Sequence, residues 1–264
     1  MNDTFNLSRF GFLLKKSILE RPIQIIGLTF LILGFTFFIY SAFLYFAGWG
    51  PAQNLSFIWG YIGGGIFLSS AVFGYFNTNA SGSAYLTLPA SALEKWLCGA
   101  LITGAFFCLI FFGFYRLIDT AFVTAYHNGL DRNSPLYQKM YNAVHIFPFE
   151  GNIVRQSTIM FVNFTGIMLV GSLYFNKVAV VKAAIVACVL MGVIYLLNLT
   201  IANILFANVD IAFPFNNILI KVGKEAGSIE LTPIASNFVD ICFQYILPSI
   251  LWITAYIRLR EKEI

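Results

Sequence analysis

Six long apolar runs, separated by shorter polar interruptions, dominate the chain. A helix crosses the roughly 30 Å hydrocarbon core of a bilayer with about 17–25 apolar residues. The runs near residues 23–47, 55–76, 96–126, 158–175, 183–206 and 241–257 reach that length and predict six transmembrane helices. Residues 4–20 follow another pattern: Phe10, Leu13, Leu14 and Ile18 recur near one helical face, with Arg9, Lys15 and Lys16 on the rest. That layout predicts an interfacial amphipathic helix, apolar side in the acyl boundary and basic side among headgroups. Arg21-Pro22 ends it and opens the first span.

The interruptions differ in character. Gly48-Trp-Gly-Pro51 reads as a tight turn. Residues 77–95 hold a Pro, small polar residues and the pair Glu94-Lys95, followed by Trp96. This predicts a short surface helix with Pro89 in its first turn and Trp96 at headgroup level. Such a connection either joins two spans or receives a docking partner. Residues 127–155 and 207–240 are longer polar segments. In the second, Ile218–Val222 and Ser228–Thr232 flank Gly223–Gly227 and predict a small hairpin. Pro248 predicts a kink in the last span. The expected fold is a single all-α membrane domain over residues 1–264, with one hairpin between the fifth and sixth spans.

Composition agrees: 59% of residues are hydrophobic and 11% charged, against about 25% charged in soluble domains. The net charge of +4 does not suggest a nucleic-acid partner. Arg9, Lys15, Lys16, Arg21, Lys95, Lys177, Lys182, Arg258, Arg260 and Lys262 fall on one side of the expected bundle. Arg132, Lys139, Arg155, Lys221 and Lys224 fall on the other, with Arg116 at its margin. The richer side is expected in the cytoplasm, with both termini and the 77–95 connection, and the hairpin outside. The apolar run after Arg21 exceeds the core of a removable signal, so the N-terminus is expected to be retained.

Candidate chemistry is sparse. Gly60-x-x-x-Gly64, and Ser70 with Gly74, permit close approach of another backbone, within the chain or at a subunit interface. Arg116 and Asp119 lie one turn apart near the far end of the third span, as a snorkelling ion pair or as a gating or substrate contact. Cys98, Cys108, Cys188 and Cys242 follow no metal or redox spacing and read as packing residues; His127 and His145 have no ligand pattern. The chain carries no phosphate-binding loop and no hydrolase or metalloprotease motif. It is expected to hold no catalytic residue, metal site or cofactor of its own, and clean spans argue against a self-energised transporter.

The layout of lead-in helix, six spans and the connection Leu88-Pro-Ala-Ser-Ala-Leu-Glu-Lys95 resembles the permease subunits of type-2 ABC exporters. Phe175–Lys182 and Tyr256–Glu263 are also similar to short permease-related proteins of Bacteroidetes. The resemblance implies a bacterial inner-membrane protein that exports an unidentified substrate, driven by a separate ATP-binding cassette ATPase that holds the ATP and Mg. Leu88, Pro89, Ala90, Ser91, Glu94 and Lys95 would meet that ATPase, and the helix bearing Arg9, Lys15 and Lys16 would brace the contact. The permease would work as a homodimer or heterodimer among membrane lipids. The alternative is a non-transporting anchor or sensor that binds an envelope partner through residues 127–155 and 207–240.

Overall fold

The computed structural model describes residues 5–175, 178–206, 209–215, 217–222 and 225–263. In chain order the helices are α1 (Leu7–Glu20), α2 (Ile23–Ala47), α3 (Trp49–Val72), α4 (Asn79–Leu86), α5 (Ala92–Asn128), α6 (Tyr137–Asn142), α7 (Asn152–Tyr174), α8 (Ala179–Leu205) and α9 (Pro233–Glu261). Six of them, α2, α3, α5, α7, α8 and α9, are long and apolar enough to cross a bilayer. The chain is a multi-pass helical membrane protein.

Helix α3 is the centre of the bundle because its glycines let three neighbours reach its backbone. A Cβ at Gly60 would collide with Thr36 and Phe111, one at Gly64 with Ile32 and Phe107, and one at Gly65 with Phe161 and Thr165. Thus α2, α5 and α7 each press on the same stripe, as small residues allow where lipid offers no hydrophobic drive between helices. Gly60 and Gly64 are buried within the chain, which rules out their direct use as a subunit interface; Gly63 faces open space. Around the stripe the aromatic rings interlock. Tyr61 stacks on Phe161 with centroids 4.3 Å apart and planes 4° from parallel, and Phe57 meets Phe111, Tyr115 and Phe147.

The outer helices are less enclosed. Helix α8 leans on α7 where Ala183 sits on Gly171, and Ile185, Val189, Leu196 and Ile204 are exposed. Helix α9 packs on α7 and α5.

Three spans contain a π-wound turn: Ile23–Gly27 in α2, Leu101–Phe106 in α5 and Cys242–Ile246 in α9. The last directly precedes Pro248, the residue expected to disturb the final span. Pro248 has no N–H to offer the Gln244 carbonyl, and the helix widens over the preceding turn.

The expected hairpin is part of a three-stranded antiparallel sheet, β1 (Val209–Ala212), β2 (Asn217–Val222) and β3 (Glu225–Glu230), in that order. Val222 pairs with Glu225. The expected five-residue turn over 223–227 is therefore too long: Gly227 lies within β3, opposite Ile220, and residues 223 and 224 are outside those described. The spans alternate in direction. Helix α1, the C-terminal end of α9 and the 77–91 connection gather at one end of the bundle; the 129–151 connection and the sheet lie at the other.

Candidate functional site

The connection between the second and third spans is more ordered than its polar composition suggests. After α3 a 3-10 turn runs from Gly74 to Asn77, and Thr78 caps α4, accepting a hydrogen bond from the Ser81 N–H at 3.3 Å. A turn over residues 87–90 follows, and Ser91 caps α5. The Ser91 hydroxyl accepts from the Glu94 N–H at 3.2 Å while the Ser91 N–H donates to the Glu94 carboxylate at 2.9 Å. This reciprocal box satisfies two orphan donors at the helix start. It also moves the expected short helix: the helix lies upstream at 79–86, and Pro89 sits in an exposed turn rather than in a first helical turn. The Ser-x-x-Glu spacing carried that signal in the sequence.

Glu94 is completely buried. Its carboxylate lies between the N-terminal ends of two helices, where unpaired N–H groups favour negative charge. Besides Ser91 it accepts from the main-chain N–H of Asn6, the cap of α1, at 2.7 Å. Arg9 then closes a two-pronged fork, with Nε at 2.8 Å and Nη2 at 2.7 Å. The next residue, Lys95, is 1% exposed and turns the other way. Its Nζ donates to the Leu86 carbonyl at 2.9 Å, at the C-terminal end of α4, and to Glu263 Oε1 at 2.7 Å. One residue fastens the start of the chain to the connection, and its neighbour fastens the finish.

Aromatic rings complete the clamp. Tyr75 stacks on Tyr85 with centroids 4.4 Å apart, and Arg21 lies 3.7 Å over the Tyr75 ring. Lys262 lies 4.5 Å over Phe76, so a cation from each chain end caps a ring of the connection. Burial, helped by the nearby Glu20 charge, pushes the Tyr75 phenol up to about 12. Burial also raises Tyr85, and it lowers Lys262 with help from Arg258.

These positions revise the expected docking set. Glu94 and Lys95 lie beneath the surface and are used within the chain. Leu88, Ala90 and Ser91 are half-buried and Pro89 is exposed, which leaves the 88–91 turn as the accessible part. Lys15 and Lys16 are exposed on α1. The inner face of α1, Phe10, Leu13 and Ser17, packs against the bundle instead of facing acyl chains; the Cys98 thiol donates to Ser17 at 3.5 Å. Trp96 of α5 reaches across to α9, its indole N–H donating to the Trp252 carbonyl at 3.1 Å.

The other predicted pair lies at the far end. Asp119 is 1% exposed and accepts from Tyr40 Oη at 2.8 Å, Gln53 Nε2 at 2.8 Å and the Phe147 N–H at 2.6 Å. Arg116 donates to the Phe147 carbonyl at 3.1 Å and lies 4.5 Å over the Phe149 ring. The expected direct ion pair is replaced by two grips on one residue, Phe147, which tie down the outer connection. The His127 ring meets the Tyr141 and Val144 carbonyls. Among the described residues no three His, Cys, Asp or Glu side chains converge as metal ligands.

Comparison with protein-family models, characterised proteins and solved structures gave no match.

Proposed function

We propose that the chain is the permease subunit of an ABC-type exporter in a bacterial cytoplasmic membrane, with both termini cytoplasmic and a separate ATPase docked on the turn at 88–91. The observation that carries this reading is the clamp. An accessible turn is joined to α4 and α5 and, through Glu94 and Lys95, to Arg9 of α1 and to Glu263 just beyond α9. A push on Leu88, Pro89 and Ala90 would therefore reach the second and third spans together with α1 and α9, as a force-transmitting coupling element requires. Bundle reorientation would follow ATP-driven closure in the partner, with a second permease subunit completing the transporter.

The test is purification of the full chain from its native membrane with and without Leu88→Glu and Pro89→Glu. The reading expects a stoichiometric ATPase with the unsubstituted chain and at least a tenfold loss from the double variant, with membrane insertion unchanged. Equal recovery from both would remove the docking assignment. No nucleotide-binding partner at all would remove the permease reading and favour an anchor or sensor acting through the far-end segments.

A further inference from the structure

An apolar groove of about 250 Å³ lies between α1, α2, α3 and α5. Its walls are Ile18 of α1, Ile25, Thr29 and Leu33 of α2, and Ile102 and Phe107 of α5. The only hydroxyl among these six residues is already used: Thr29 Oγ1 donates to the Ile25 carbonyl at 2.7 Å. The walls consequently offer hydrocarbon and nothing else, a lining that suits an apolar guest.

Shape and position narrow the guest. Ile25 to Leu33 on α2, and Ile102 to Ile110 on α5, each span about 12 Å at 1.5 Å per residue. Half of a bilayer's hydrocarbon core is about 15 Å, so the groove runs nearly the depth of one leaflet. Its walls include residues from two π-wound turns, Ile25 and Ile26 in one and Ile102 and Phe106 in the other, a winding frequent at functional sites. Lys15 is exposed and lies three positions before the wall residue Ile18, one turn away along α1. A cation one helical turn from a hydrocarbon slot of leaflet length complements an anionic lipid in both parts.

We infer that this groove holds one acyl chain of an anionic phospholipid from the leaflet beside α1, with Lys15 at its headgroup. The site does not depend on the transport reading and is tested apart from it. The full chain is purified in mild detergent and examined by native mass spectrometry, with retained lipid identified by extraction. The expected result is one anionic phospholipid per chain. Thr29→Trp, which fills the groove, lowers retention at least fivefold, and Leu31→Trp, on an exposed position outside it, does not. Lys15→Glu, at an exposed site, lowers the anionic share at least fivefold without changing thermal unfolding, and decides the matter if Thr29→Trp does not fold. Absence of stoichiometric lipid, equal retention by Thr29→Trp and Leu31→Trp, or an unchanged lipid profile with Lys15→Glu overturns the assignment. So does dissociation of a dimer on filling the groove, which would assign it to a second copy of the chain.

Discussion

Glu94 and Lys95 are consecutive residues that hold opposite ends of the chain, Glu94 taking the Arg9 fork at 2.7 Å and Lys95 meeting Glu263 at 2.7 Å. Neither contact is local; the partners are 85 and 168 positions away. Glu94→Ala would take from Arg9 its carboxylate partner and from the Asn6 and Ser91 N–H groups their shared acceptor. Loss of one member of a buried pair costs about 3–5 kcal/mol, and the lower end applies because Arg9 is 28% exposed. Trypsin should then cut after Lys15 and Lys16 much faster than in the unsubstituted chain, with a lower melting temperature. Glu94→Gln keeps the capping geometry and should fall between the two.

Glu263→Ala should be worse than a double change at the same contact. The single substitution leaves the Lys95 ammonium buried with the Leu86 carbonyl as its remaining hydrogen-bond acceptor, whereas adding Lys95→Met removes the stranded charge. Thermal unfolding of the three proteins checks this. The double variant should recover about half of the roughly 3 kcal/mol expected to be lost by the single one.

Asp119→Ala should loosen the far end and leave the clamp intact. It strands the donors on Tyr40 and Phe147 and leaves Gln53 Nε2 with the His145 carbonyl alone, at about 1–3 kcal/mol for each stranded donor that water does not reach. Proteolysis should move to residues 143–149, with no added cleavage in α1. Increased cleavage at both ends would contradict independent anchoring.

Gly60→Leu and Gly63→Leu should differ sharply although three positions separate them. The first drives a side chain into Thr36 and Phe111, while the second meets open space. Overpacking costs about 1–3 kcal/mol per site and rises when backbone must move. Yield of folded protein in detergent is the measurement; equal tolerance would show that α2 and α5 do not close on α3 as described.

Much of the architecture was legible because apolar length alone identifies a span. Boundaries were less so. Residues 48–51 read as one turn, yet Gly48, at φ 85°, turns the chain alone and α3 starts at Trp49, with Pro51 tolerated in its first turn. Ser91-x-x-Glu94 was a visible start signal that the apolar count from Trp96 overlooked. The clamp was not legible: helical periodicity places Arg9 and Lys95 on polar faces but does not name partners dozens of residues away. Asp119 misled for a related reason. Its spacing from Arg116 suits an ion pair, but its side chain faces Tyr40 on α2, and only the packed bundle reveals that choice.

Because Asn6 and Arg9 of the first helix and Glu263 beyond the last are fastened to consecutive residues, the described chain is topologically almost a closed ring. A bulky label attached next to Asn6 or Glu263 would crowd Leu88, Pro89 and Ala90. An affinity handle inserted in the sheet region at the opposite end would leave that surface clear, and the two placements need not report the same set of binding partners.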